Sequence, residues 1–156
     1  MSKVYSLKAV QTIPITIDEA WNFFSRPDNL KEITPGQMGF AIKSRHHGEK
    51  VYAGQIIEYT VKPLLGIPLY WMTEITHVSE GKYFVDEQRY GPYSLWHHQH
   101  HFREITGGIE MTDIVHYKIP YWVLGDIANA VFVKPQLRMI FDFRCMAIIE
   151  KFGRLQ

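Results

Sequence analysis

Trp96-His97-His98-Gln99-His100-His101-Phe102 is the stretch on which the reading of this chain turns. In an extended strand alternate side chains leave on opposite faces, so one face carries Trp96, His98, His100 and Phe102. The flanking segments repeat that kind of face, with Phe84, Asp86, Gln88 and Tyr90 before it and Met111, Asp113, Val115 and Tyr117 after it. Three successive strands therefore combine aromatic ends with a polar middle. Buried His, Asp and Gln each need a hydrogen-bond partner or a ligand, so such a face suits a pocket better than a dry core.

Residues directly opposite in an antiparallel pair share a face, so the turns between these segments predict a register. A two-residue Glu80-Gly81 turn sets Ser79 opposite Lys82, Ile75 opposite Asp86, Thr73 opposite Gln88 and Trp71 opposite Tyr90. Thr106-Gly107 sets Phe102 opposite Met111, His100 opposite Asp113, His98 opposite Val115, Trp96 opposite Tyr117 and, on the outer face, Arg103 opposite Glu110. Across the 91–95 loop, pairing Tyr90 with Trp96 keeps the faces consistent and brings Gln88 to His98 and Asp86 to His100. The inner face then has four layers. They are Trp71, Tyr90, Trp96, Tyr117; Thr73, Gln88, His98, Val115; Ile75, Asp86, His100, Asp113; and His77, Phe84, Phe102, Met111. His100 is placed between two carboxylates, while His97, His101 and His116 fall on a solvated outer face.

Outward from these strands, residues 4–13 alternate and predict a first strand ending at Pro14. Asp18 is the expected cap of a short helix carrying Ala20, Trp21, Phe23 and Phe24, and Pro27-Asp28-Asn29 starts a second one that Thr34-Pro35-Gly36 ends. Strands are expected over about 38–45, 54–62, 69–79, 82–90, 95–105 and 109–119, broken by Gly48, Gly66, Gly81, Gly91-Pro92 and Gly107-Gly108, which implies an antiparallel meander. From Asp126 as cap, Ile127, Val131, Phe132, Leu137, Ile140, Phe141, Ile148, Ile149 and Phe152 recur at helical spacing. A helix over 126–152 spans about 40 Å at 1.5 Å per residue, enough to cross a domain, with Pro135 expected to bend it.

The 156 residues, 46% hydrophobic and 14% aromatic, fit one domain over 1–156. A chain of this size removes roughly 70% of its unfolded surface from water on folding. A formal charge of +1 without a Lys/Arg-rich run argues against nucleic acid as the main partner. No stretch has the length and hydropathy of a membrane span, and the N-terminal residues hold no apolar signal region. The single Cys145, read as buried and inert, makes no internal disulfide; a reducing compartment, the cytoplasm, is expected.

The order of strand, two short helices, meander and long C-terminal helix resembles the START-like, helix-grip superfamily, which includes polyketide cyclases and plant pathogenesis-related allergens. More specifically, Phe23-Phe24-Ser25-Arg26-Pro27-Asp28-Asn29-Leu30 with Ile33-Thr34-Pro35, Phe84-x-Asp86-x-Gln88 with Gly91-Pro92, Trp96-x-His98-x-His100-x-Phe102 and Met111-x-Asp113 resemble a bacterial, cyclase-like or ligand-binding subgroup. The resemblance covers nearly the whole chain and implies an α+β helix-grip fold, a curved antiparallel sheet around the C-terminal helix with a ligand cavity between. Val131, Pro135 and Phe141 are then expected in its roof. The mouth is expected near the 64–68, 91–94 and 120–125 loops, beside Trp71, Tyr90, Trp96 and Tyr117.

Taken together, Trp71, Thr73, Gln88, Tyr90, Trp96, His98, His100, Asp113, Tyr117, Val131, Pro135 and Phe141 are the expected ligand-binding residues. The ligand is a small apolar or amphipathic molecule. An enzyme reading takes His100 as general acid or base, oriented by Asp113 or Asp86, with Gln88 and His98 binding a carbonyl or hydroxyl, as a cyclase or dehydratase requires. The quieter reading makes Asp86, His100 and Asp113 a satisfied structural network. No nucleophile elbow or phosphate loop is present, and no cofactor is expected. A cupin-like metal site is an alternative, since His98 and His100 share a face and Glu104 has the same parity; lacking the cupin glycine spacing, the main reading assigns no metal. An interaction surface at Ile119-Pro120-Tyr121 with Trp122 is a further alternative. Oligomeric state is not written in the sequence.

Overall fold

Burial alternates along Tyr5–Ile13 and makes it β1; after Pro14 the period becomes helical. The computed structural model describes residues 3–45, 49–64, 66–120 and 122–155, so Gly48 and Tyr121 of the reading above lie outside the described residues. Thr16, not Asp18, caps α1 (Ile17–Phe24). Its Oγ1 accepts the Glu19 N–H at 3.2 Å, and the Glu19 carboxylate accepts the Thr16 N–H at 2.8 Å. This capping box satisfies two free donors at once, which Asp18 alone does not do. Two 3-10 segments follow, Pro27–Ile33 and Gly36–Met38, and the strand expected over 38–45 shortens to β2 (Ala41–Ile42).

The remaining strands are β3 (Ile56–Leu64), β4 (Ile67–Ser79), β5 (Tyr83–Tyr90), β6 (Leu95–Ile105) and β7 (Gly108–Lys118). They form one sheet in the order β1-β7-β6-β5-β4-β3-β2, with every neighbouring pair antiparallel. The β6–β7 register is the expected one, from Arg103 opposite Glu110 to Trp96 opposite Tyr117.

Between β4 and β5 the turn is one residue longer than expected, and Ser79 pairs with Tyr83 rather than Lys82. A bulge at Thr76 absorbs the offset, so Ile75 still faces Asp86 and Thr73 faces Gln88. That bulge also moves His77 outward, where it is exposed, and Val78 takes its place against the core. A second bulge at Arg89 pairs Tyr90 with Met72 instead of Trp71. Tyr90 consequently leaves the inner face; it is 61% exposed, with its ring 5.5 Å from that of Tyr70.

Between β5 and β6 the register is displaced by two residues from expectation: Asp86 pairs with His98 and Phe84 with His100. A two-residue slip preserves faces, so every inward side chain stays inward. With this register, the Gln88 side chain is turned to the loop. Its Nε2 donates to the Tyr93 carbonyl at 2.6 Å and its Oε1 accepts the Tyr93 N–H at 3.2 Å. Gly91 permits this clamp, because a Cβ there would stand 2.5 Å from Gln88 Oε1.

The C-terminal helical segment begins at Trp122, not Asp126, and runs as α2 (Trp122–Ala128), a π-helical turn (Asn129–Val133) and α3 (Lys134–Phe152). Asp126 lies within α2 and accepts the Tyr5 hydroxyl at 2.5 Å. Pro135 sits in the first turn of α3, where its missing N–H is tolerated; the π turn before it takes up the irregularity. Leu137, Arg144 and Ile148 are the buried residues of α3, and Cys145 is only partly buried. Under the sheet, Trp21 meets Phe84 and Phe102 edge-on with centroids at 6.0 and 5.8 Å, while Phe23 meets Phe152 at 5.2 Å. Among the described residues, no helix is long and apolar enough to cross a membrane.

Candidate functional site

Strand alternation on β6 points His98 and His100 to the same face, and their neighbours on β5 and β7 supply one carboxylate each. The two imidazoles lie with ring centroids 3.8 Å apart. Asp113 Oδ1 stands 2.9 Å from both His98 Nε2 and His100 Nδ1. Asp86 Oδ2 stands 2.8 Å from His100 Nε2 and 3.6 Å from His98 Nδ1. His100 thus lies between two carboxylates as expected, although Asp86 reaches it diagonally rather than from directly opposite. His98, His100 and Asp113 are buried at 5%, 7% and 5% exposure.

Arg144 closes the ring from α3, with Nη1 3.8 Å from Asp113 Oδ1. It is 8% exposed, and its Nε has no hydrogen-bond partner among the described residues. Sequence reasoning missed it. The available signal was a single charge on the stripe Leu137, Phe141, Arg144, Ile148, spaced as one helix face. Tyr59 was also missed; its hydroxyl lies 3.2 Å from Thr73 Oγ1, which accepts from Trp71 Nε1 at 3.0 Å.

The electrostatics follow from burial and this ring of partners. Burial alone disfavours a charged His100, but the hydrogen bonds to Asp113 and Asp86 outweigh it and raise its pKa above the ordinary imidazole value. Burial lowers that of His98, reinforced by the charge of His100 and opposed by the two carboxylates. For Asp113 burial opposes ionisation, yet the hydrogen bonds from His100 and His98 hold it well below the usual carboxylate range. Asp86 is lowered for similar reasons: against burial, His98 and His100 favour its anion. The result is a buried cluster in which two carboxylates, favoured as anions, face two imidazoles, of which His100 is the more readily protonated.

This cluster forms one end of a cavity of about 160 Å³ between sheet and helix. Apolar walls come from Phe23, Phe24, Leu30, Ile33, Phe40, Ile57, Ile75, Phe84 and Met111, with Trp96 and Phe141 beside the polar end. Thr73, Asp86, His98, His100, Arg26 and Arg144 supply polar lining.

The expected residues divide accordingly. Thr73, Asp86, Trp96, His98, His100 and Phe141 border the cavity, and Asp113 stands behind the imidazoles. Trp71 and Tyr117 pack around Trp96 and Tyr93 instead, and Tyr117 donates its hydroxyl to Asn129 Oδ1 at 2.9 Å. Gln88 serves the 91–94 loop. Val131 and Pro135 do not form the roof; both are exposed on the far side of the helix, which the π turn rotates away from the cavity. The 91–94 loop does not border the cavity; its lining comes instead from the side of Phe24, Pro27 and Asn29. Residues 65 and 121 of the other two expected loops lie outside the described residues. Glu104 is exposed, so the carboxylate that accompanies His98 and His100 is Asp86. One donor atom from each of Asp86, His98 and His100 lies within 4.8 Å of the others.

No protein-family model matches the sequence, and no curated protein is similar to it. Solved structures do match over nearly the whole chain. A protein named Ms6760 from Mycobacterium smegmatis superposes with a TM-score of 0.68 at 15% identity, over 96% of both chains. A Thalictrum norcoclaurine synthase point mutant in complex with a transition-state analogue gives 0.67 at 14% identity, over 97% of this chain and 98% of that one. The major latex-like protein 151 of Panax ginseng gives 0.64 at 11%, over 96% and 97%. These likenesses establish a shared helix-grip architecture, the α+β fold that the START-like resemblance implied.

Proposed function

We propose that the whole chain acts as one binding domain for a compact, largely apolar molecule carrying at least one polar group. The observation that carries this reading is a cavity with aromatic and aliphatic walls into which the buried polar groups of Thr73, His98, His100 and Arg144 are set. Apolar walls favour transfer of a ring or short aliphatic body from water. Polar groups set in those walls, the imidazoles and Arg144 among them, favour a carbonyl or hydroxyl oxygen over a bare hydrocarbon. The volume, about 160 Å³, resembles that of a cavity of about 150 Å³ that admits a single aromatic ring. The lone cysteine is compatible with a reducing, cytoplasmic setting.

Two measurements test this. Molecules co-purifying with the protein under native conditions are identified by mass spectrometry, and benzaldehyde and toluene are compared as probes of equal ring size by NMR shifts of the Trp96 indole. Benzaldehyde is expected to bind more tightly. Equal affinities, or no shift with either, would overturn the reading.

A second reading, an acid–base catalyst of the cyclase or dehydratase kind, is favoured by one observation: His100 borders the cavity while held by two carboxylates. That arrangement suits a proton donor whose charged form is stabilised in place. The cyclase-like subgroup belongs to this reading. It is supported if wild type converts the co-purified molecule and His100→Asn binds it without converting it.

A further inference from the structure

The four-residue ring has a directional feature that a simple ion-pair network does not require. Asp113 Oδ1 lies 2.9 Å from one nitrogen of each imidazole, His98 Nε2 and His100 Nδ1. A carboxylate in that position accepts both N–H groups and so selects both tautomers. The nitrogens left over, His98 Nδ1 and His100 Nε2, stand 3.6 and 2.8 Å from Asp86 Oδ2, and once both rings are neutral with their protons on the Asp113 side, each turns a lone pair toward it. Three electron-rich atoms then lie within 4.8 Å of one another beside the cavity, and lone pairs at such distances repel unless a positive charge lies between them. A proton can occupy the shorter gap. A metal ion can use all three atoms at once.

The remaining surroundings agree with metal coordination. An imidazole whose second nitrogen donates to a carboxylate is the usual arrangement around metal-ligating histidine, because that outer partner fixes ring orientation and raises ligand basicity. Here one carboxylate serves two imidazoles. The donor set of two nitrogens and one carboxylate oxygen matches the three-ligand sites that keep a further position open, used for zinc and for non-haem iron(II). Charge is also accommodated: Asp86 and Asp113 bring two negative charges, and the Arg144 guanidinium stands 3.8 Å from Asp113 Oδ1. Phe84 stacks on His100 with centroids 4.2 Å apart, holding the ring in its plane.

We propose that Asp86 Oδ2, His98 Nδ1 and His100 Nε2 bind a divalent first-row transition ion of the zinc, cobalt or iron(II) class, with an open coordination position facing the cavity. Asp113 is the positioning residue, which holds both imidazoles in the ligating tautomer without touching the ion. The inference does not depend on the identity of any cavity ligand.

The test uses the full chain, stripped with a chelator and titrated with Co2+ under anaerobic conditions, followed by Zn2+ competition. One cobalt per chain is expected, with visible absorption of low-coordinate cobalt that zinc abolishes. X-ray absorption of the zinc form is expected to show two imidazoles and oxygen but no sulfur, a readout that needs no variant. His100→Gln and Asp86→Asn should each weaken binding at least tenfold, and Asp113→Asn about tenfold to a hundredfold. Glu104→Gln, Cys145→Ser and His116→Asn should leave it unchanged. The proposal is overturned by absence of stoichiometric binding to folded wild type, by a sulfur shell, or by binding that survives the ring variants but is lost with Cys145→Ser or His116→Asn. In the first case the point between Asp86 and the imidazoles holds only a proton.

Discussion

Asp86 pairs across the ladder with His98 but its closest hydrogen-bond partner, at 2.8 Å, is Nε2 of His100, one strand position further along the same face. The diagonal contact lets two carboxylates and two imidazoles close a ring that a strictly horizontal pairing leaves open. Because every member is buried or nearly so, the ring is costly to break and sensitive to protonation.

The metal-free protein should show this in its pH dependence. The pKa of His100 is raised in the fold, so its contribution is fully present below the unfolded imidazole value and is lost as pH rises through the folded one. Asp86 and Asp113, with lowered values, act in the opposite sense: their contribution is present above the usual carboxylate range and lost as pH falls through the depressed values. The stability advantage of wild type over His100→Gln, measured by urea unfolding, is therefore expected to shrink as pH rises from the ordinary imidazole range into the alkaline range. An advantage that grows over that interval contradicts the assignment.

Losses at two ring members should not add. Asp113→Ala is expected to destabilise by about 3–5 kcal/mol, since it leaves buried charge uncompensated. The double variant Asp113→Ala with His100→Leu should lose less than the sum of its two single changes. Additive losses in a double-mutant cycle would show that the 2.9 Å contact carries no coupling.

Binding should discriminate between two aromatic residues that the sequence placed in one layer. Trp96→Ala is expected to weaken benzaldehyde binding about tenfold through loss of ring contact, whereas Tyr90→Ala, on the outer face, should leave it unchanged. An equal effect of both would return Tyr90 to the cavity.

Gly108 opens β7 against the end of β1, and a Cβ there would stand 2.2 Å from the Ile13 carbonyl oxygen. Backbone, not a flexible side chain, must then move. Gly108→Ala is expected to destabilise by about 2 kcal/mol or more, while Gly36→Ala, with nothing within 4 Å of the added carbon, should change stability by no more than about 0.5 kcal/mol. Thermal unfolding of the two variants distinguishes them.

The sequence by itself determined which side chains share a face. The period-two pattern of β5, β6 and β7 placed Asp86, His98, His100 and Asp113 together, and a two-residue slip between β5 and β6 could not separate them because it returns each side chain to the same side. The Thr106-Gly107 turn likewise determined the β6–β7 register, since a two-residue hairpin leaves no freedom of pairing. Tertiary structure decided the rest. Bulges at Thr76 and Arg89 put His77 and Tyr90 outside, and bulges are set by the competition of long loops and packing, which local pattern does not encode. Gln88 was drawn to the Tyr93 backbone by a loop whose shape no propensity specifies. Arg144 reached Asp113 because α3 crosses the sheet at a particular angle and rotation, and the π turn before it turned Val131 and Pro135 away. One charged residue on an apolar helix stripe was legible; which carboxylate it would meet depended on how sheet and helix packed.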